Sequence, residues 1–256
     1  MIKNKFLQGL RNGDPQVGLW VSLCSNLAAD VVATAGYDWA LLDMEHAPSE
    51  IGIAMSQMQA FGAGTTSTIA RPMWNDPVVV KRLMDVGAQS LLFPMVQSVE
   101  EAQLAVSATR YPPQGIRGVS GTTRANHFGR VTDYFDNVHN ETCVLVQIET
   151  MHALEQVEAI AAVDGVDGVF FGPADLSADM GKLGQITDAG LWETISNAAK
   201  AVNKVGKPAG TLVMDADRAS RLINDGFGFV ACGSDLGLLA RGADNLLKSV
   251  RAGIKA

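Results

Sequence analysis

Four residues, Asp43-Met44-Glu45-His46, place two carboxylates beside an imidazole, and Arg71 closes the apolar run TSTIAR (66–71). Gln147 and Glu149 stand two apart in CVLVQIE (143–149), and Asp175 ends the tetrapeptide Gly172-Pro173-Ala174-Asp175. His46 suits a general base at neutral pH, because histidine is the side chain whose ordinary pKa lies nearest that range; a hydrogen-bonded structural histidine is the alternative. Arg71 offers a planar fork of donors to a carboxylate or a developing enolate oxygen. It suits equally a buried ion pair with Asp43 or Glu45.

Residues two apart on a strand share a face, so Gln147 and Glu149 are expected to point the same way, toward an interior where a carboxylate needs a cation. Glu149 and Asp175, with no Cys and only one nearby His, describe a hard-oxygen site suited to Mg²⁺ or Mn²⁺ rather than zinc. A Glu–Arg71–Asp ion-pair network without metal fits the same spacing. His127, His139 and His152 lack ligand-like spacing and read as surface residues. Trp20 and Trp74 read as core or rim, and Asp215 and Asp235 as helix N-caps.

The elements that must carry these side chains follow from the apolar pattern. Short β-type runs, VGLWVSL (17–23), DWALLDME (38–45), TSTIAR (66–71), SLLFPMV (90–96), CVLVQIE (143–149), DGVFFG (167–172), PAGTLV (208–213) and FVACG (229–233), alternate with segments of helical period. Among those helices are 77–86, with Pro77 first and Gly87 just past the end, and 99–110 after Ser98 as N-cap. Eight such units of roughly 32 residues match a (β/α)8 TIM barrel. A doubly wound open sheet would usually carry a glycine fingerprint after its first strand, where this chain has Cys24-Ser25-Asn26-Leu27. Composition does not shift along the chain, so one barrel domain, 1–256, is expected. In such a barrel Asp43, Glu45, His46, Arg71, Gln147, Glu149 and Asp175 all fall at the C-terminal mouth, where chemistry gathers.

With 47% hydrophobic and 18% charged residues and a mean hydropathy of +0.12, the 256-residue chain reads as a buried globular protein. A net charge of −7 gives no footing for nonspecific nucleic-acid or anionic-membrane binding. Three separated cysteines without CxxC spacing point to a reducing cytoplasm, and neither a signal-peptide core nor a membrane-spanning run is expected.

The blocks GLW (18–20), DMEHAP (43–48), RPMWNDP (71–77), KRLMDVGAQ (81–89), PMV (94–96), RYPPQGIRGVS (110–120), LVQIET (145–150) and DGVFFGPADLSADMG (167–181) resemble the HpcH/HpaI family of metal-dependent, class II pyruvate aldolases. GIRGVSGTTRANHFGRVTDYF (115–135), GKPAG (206–210) and ACGSDLG (231–237) look like the 2-dehydro-3-deoxyglucarate aldolases, while WNDP (74–77) is shared with 4-hydroxy-2-oxoheptanedioate aldolases. The resemblance implies a barrel of the phosphoenolpyruvate/pyruvate-binding type that reversibly cleaves a 4-hydroxy-2-oxo acid into pyruvate and an aldehyde through a metal-stabilised enolate. It implies that Glu149 and Asp175 hold Mg²⁺, Mn²⁺ or a similar ion such as Co²⁺, that His46 is the base, and that Arg71 stabilises the enolate. Trp20, Gln147, Gly172, Pro173, Ala174 and Arg124 would meet the substrate, and Asp43 and Glu45 would support them.

Asp85, which the resemblance makes the residue orienting the histidine, and Arg124, which would meet the distal anionic group, should both lie away from their own barrel's mouth by β/α geometry. A neighbouring subunit would then supply both, and the resemblance implies a hexamer built of dimers that swap a C-terminal helix near 236–250. Met44 replaces an expected glycine, a change that could narrow the site. No strand-end lysine presents itself for a Schiff base, which favours the metal route. A CoA-ester lyase, a decarboxylase–aldolase of the same fold and a non-catalytic binding barrel are the alternative readings.

Overall fold

In the computed structural model, which describes residues 3–254, eight parallel strands close into a barrel in sequence order. They are β1 (Gln16–Val21), β2 (Trp39–Asp43), β3 (Ser67–Arg71), β4 (Ser90–Phe93), β5 (Cys143–Ile148), β6 (Gly168–Phe171), β7 (Ala209–Val213) and β8 (Phe229–Ser234). Every expected strand is present, most of them trimmed at the ends. Pro94, which cannot donate to the ladder, follows the last residue of β4.

Alternation sorts the strand residues into two layers. Trp20, Trp39, Leu41, Ile69, Leu92, Leu145, Phe170 and Phe229 pack together inside the barrel. Leu19, Ala40, Leu42, Ala70, Leu91, Val144, Val146 and Val169 face the surrounding helices. Asp43, Arg71 and Gln147 continue the inward series by parity, so the sheet itself aims them into the mouth. The opposite end is closed by the helix Lys5–Asn12, whose Phe6 meets the Trp39 and Phe229 rings at 5.9 and 5.8 Å. Gly18 is required there, because a Cβ would fall 2.1 Å from the Trp39 ring.

Helix ends follow local chemistry. Asp76 accepts from Val78 N at 2.7 Å and starts the helix Pro77–Asp85, which stops before Gly87 at φ +108°. Ser98 accepts from Glu101 N to start Val99–Thr109, and Asp215 accepts from Arg218 N to start Ala216–Asn224. Asp235 departs from its expected capping role. Ser234 caps the helix Asp235–Gly253, while the Asp235 carboxylate accepts from Ser22 N and Leu23 N at 2.8 and 3.1 Å. Backbone donors past the end of β1 have no ladder partner, and Asp235 satisfies them. Beyond that anchor the helix is uncovered: Leu236, Leu238, Leu239, Leu246, Leu247 and Val250 are all exposed. Among the described residues, no helix is long and apolar enough to cross a membrane.

Candidate active site

The mouth contains two groups of carboxylates. In the first, β2 and β3 pair with Asp43 opposite Arg71. The Arg71 fork donates to Asp43 through Nε (3.0 Å) and Nη2 (2.8 Å). Nη1 lies 2.7 Å from Glu45 Oε2, an ion pair outside hydrogen-bonding geometry. Trp20 Nε1 donates to Asp43 Oδ2 at 3.2 Å, and the Arg71 guanidinium sits 4.9 Å from the Trp20 ring centre. Asp43 Oδ1 also accepts from the backbone N–H groups of Glu45 and His46, so the loop after β2 is folded around this one carboxylate. Burial works to raise the Asp43 pKa, but the hydrogen bonds and charge of Arg71 hold it below the ordinary value. Burial raises Glu45, against the charges of Arg71 and His46.

His46 itself is exposed, with Nε2 3.9 Å from Glu45 Oε2. Met44 does not narrow this site. It is 3% exposed and packs in the outer layer, because the residue after inward-facing Asp43 must point outward.

In the second group, Glu149 lies just beyond β5 at 3% exposure. Its Oε1 accepts from Gln147 Nε2 at 2.6 Å and its Oε2 from Met95 N at 3.0 Å. Gln147 Oε1 is buried without a partner among the described residues. Burial pushes the Glu149 carboxyl up to about 8, and the charge of nearby Asp175 adds to the shift. Gly172 makes room for it, since a Cβ there would fall 2.5 Å from Glu149 Oε1. Gly172 also caps the helix Pro173–Asp179, whose first turn brings exposed Ala174 and Asp175 to the rim. The expected alternative, an Arg71 bridge between Glu149 and Asp175, is not formed; the fork is engaged by Asp43 and Glu45.

Met95 is the participant that sequence reasoning missed. It adopts φ +52°, and this turn after Pro94 brings its N–H to Glu149. The only sequence signal is the Pro94-Met95 pair at a strand end.

Asp85 and Arg124 lie outside this cluster. Asp85 ends the helix Pro77–Asp85 and pairs with Arg117 Nη2 at 2.7 Å. Arg124 Nη1 donates to Val86 O at 2.7 Å, and Arg124 lines a cavity with Ser67, Gln89 and Ser90, at or beside the starts of β3 and β4. Within one chain, therefore, neither reaches His46. His127, His139 and His152 are exposed; Trp20 is buried and Trp74 exposed.

The sequence profile of HpcH/HpaI aldolase/citrate lyase matches residues 16–242. The chain is 50% identical over 246 residues to a 4-hydroxy-2-oxo-heptane-1,7-dioate aldolase of Klebsiella pneumoniae, covering 96% of this chain and 93% of that one. The chain belongs to the HpcH/HpaI aldolase/citrate lyase family. A protein of the same name from Salmonella arizonae is 48% identical, over 96% of this chain and 94% of its own. The crystal structure of a HpcH/HpaI family protein from Burkholderia cenocepacia superposes with a TM-score of 0.93 at 36% identity, over 97% of this chain and all of that one. Family membership makes the chain a carbon–carbon lyase, and puts the two carboxylate groups of the mouth in the setting of aldol chemistry.

Proposed function

We propose that this HpcH/HpaI family member reversibly cleaves a 4-hydroxy-2-oxo acid into pyruvate and an aldehyde, with a divalent cation held by Glu149 and Asp175. The substrate type is that of 4-hydroxy-2-oxo-heptane-1,7-dioate, the compound named for its relatives. One observation carries the reading: Glu149 is a buried carboxylate beside a second acid, with Gln147 Oε1 orphaned next to it and the arginine fork already engaged. Glu149, Asp175 and Gln147 Oε1 would suit a hard divalent ion, and with only two protein carboxylates the site would leave room for water and a 2-oxo acid. When bound, the ion supplies Lewis acidity toward the keto oxygen.

The chain's own residues account for the proton and charge movements. His46 takes the proton from the C4 hydroxyl, directly or through water; the C4–O electron pair forms the aldehyde carbonyl, and the C3–C4 pair passes into the 2-oxo acid as an enolate. Arg71 retains N–H groups on Nη1 and Nη2 beyond its bonds to Asp43, so it can donate to that enolate without losing its seat. Protonation at C3 then gives pyruvate. Gln147 orients Glu149, and Gly172, Pro173 and Ala174 shape the rim where the pyruvyl carboxylate is received.

In the same reading, Asp85 and Arg124 serve the mouth of an adjacent subunit, Asp85 orienting that subunit's histidine and Arg124 meeting a distal carboxylate. Their position at the far end of their own barrel supports this, as does the uncovered apolar face of the helix Asp235–Gly253, which suits exchange between subunits of a hexamer. One barrel domain spans the chain, and a reducing cytoplasm suits its three free cysteines.

Proton NMR of pyruvate in D₂O tests the chemistry without choosing an aldehyde. Methyl exchange with Mg²⁺ or Mn²⁺ that EDTA abolishes is the expected result. Folded protein that exchanges nothing under either condition overturns the reading.

A further inference from the structure

Arg117 is among the most deeply buried side chains of the protein, with none of its side chain exposed. It lies in the connection after Val99–Thr109, a segment closed on itself by Arg117 N to Arg110 O (2.9 Å) and Ile116 N to Ser107 O (2.9 Å). Gly115 makes that closure possible, since a Cβ would fall 2.3 Å from Ser107 O. The guanidinium sits 4.6 Å from the centre of the Tyr111 ring, and its Nη1 donates to Tyr134 Oη at 3.3 Å. Phe135 braces both tyrosines edge-on, at 5.4 and 5.5 Å. Nη2 donates to Asp85 Oδ1 at 2.7 Å, while Nε bonds no described residue.

A buried arginine with an orphaned donor is a poor staple. Replacing a buried ion pair with apolar side chains of similar volume is often neutral or stabilising, so attachment of this connection to the helix Pro77–Asp85 does not require an arginine. What an apolar residue cannot do is fix the direction of a carboxylate. Arg117 holds only Oδ1 of Asp85; Oδ2 bonds no described residue, and the side chain is 25% exposed. Beside it Arg124 is anchored on Val86 O, so Asp85 and Arg124 project from one spot on the barrel exterior.

We propose that Arg117, clamped by Tyr111 and Tyr134, is a positioning residue that aims Asp85 at the histidine base, His46, of an adjacent subunit. The proposal rests on the reading that Asp85 acts across a subunit boundary. Its chemical content is the fixed orientation of one carboxylate oxygen. That oxygen accepts from the imidazole and sets which ring nitrogen is free to take the substrate proton.

Arg117→Met should lower aldol cleavage by about tenfold or more, the scale on which outer-shell partners act, with the pyruvate KM unchanged. Arg117→Lys, which keeps a charge for Asp85, should recover part of that loss and serves in its place if the Met variant does not assemble. The decisive measurement uses co-expressed pairs of variants, purified through two different tags. His46→Ala with Asp85→Ala should regain activity, because one subunit supplies the intact mouth and the other the intact aspartate. His46→Ala with Arg117→Met should regain it in the same way, whereas Arg117→Met with Asp85→Ala should not, since both defects lie on the donating side.

The opposite grouping, with Arg117→Met rescued by Asp85→Ala and not by His46→Ala, would show that Arg117 serves its own barrel and would overturn the proposal. So would full activity of Arg117→Met alone. Failure of the His46/Asp85 pair to complement would instead overturn donation of Asp85 between subunits.

Discussion

The two carboxylate groups of the mouth are carried by different strands, β2 and β3 for one and β5 and β6 for the other, and they differ in whether the fold supplies their counter-charge. Asp43 and Glu45 share Arg71, and Asp43 also accepts from Trp20 and two backbone amides. Among the described residues Glu149 and Asp175 form no ion pair, though the Arg71 charge acts on Glu149 from a distance; Glu149 has one amide side chain and one backbone donor, and burial pushes its carboxyl up to about 8. The first arrangement is finished before any ligand arrives. The second is stable only when protonated or when something positive enters. A single barrel thus offers a prearranged donor and a charge-seeking pair, and the proposed function assigns the cation to the second group and the developing negative charge to the first.

Removing the charge from the second group breaks this comparison most severely. Glu149→Gln should reduce metal-dependent pyruvate exchange by about 1000-fold, since several kcal/mol of charge stabilisation are at stake and each 1.4 kcal/mol is tenfold. It also has a signature independent of turnover. The folded carboxyl titrates near 8 and an ordinary one near 4.5, so between these values the metal-free folded state binds more protons than the unfolded state. Stability from this group is therefore complete below about 4.5 and is lost as pH rises toward 8. Thermal melts without metal should show wild type losing more stability than Glu149→Gln between pH 5 and pH 8, and only wild type should regain it with Mn²⁺. Identical pH profiles for the two proteins would mean that Glu149 is already compensated.

The first group can be tested without changing its charge. Arg71→Lys keeps one positive centre but not a fork able to reach both oxygens of Asp43, at 3.0 and 2.8 Å, and Glu45 at 2.7 Å. The expected loss in kcat is about 100-fold, as for removal of one strong oxyanion donor. Steady-state kinetics that leave kcat within a few-fold of wild type would show that charge alone, without the bidentate geometry, is what the mouth requires.

Much of this division was legible in the residues. Alternating apolar runs located all eight strands, and polar residues at their C-terminal ends gave the mouth, because strand parity and chain order are local properties. The partner of Arg71 was not legible: spacing allowed Glu149 as readily as Asp43, and only the register of β2 against β3 sets Arg71 opposite Asp43. Met44 points outward because it follows inward-facing Asp43, so its size has no bearing on the mouth. Nothing in the spacing of the sequence marks Arg117. Its environment is assembled from Asp85, Tyr111 and Tyr134, three segments that meet only in the folded chain.

Trp20 supplies the mildest test and the most specific one. A substrate contact at Trp20 is an expectation from the sequence resemblance, and in the fold Trp20 is 6% exposed, with Arg71 against its ring and Phe170 5.5 Å away. Its one polar atom is spent on Asp43. Trp20→Phe preserves a ring beneath Arg71 and removes a single hydrogen bond to a carboxylate that keeps Arg71 and two amides. The expected cost is about 1 kcal/mol of stability, a shift in Tm of about 2–4 °C for a chain of this size. If Trp20 acts only by holding Asp43, and through it Arg71, kcat should fall a few-fold while the pyruvate KM stays constant. A raised KM with unchanged kcat would instead make the indole a surface that pyruvate touches, and the first carboxylate group would no longer be complete before the ligand arrives.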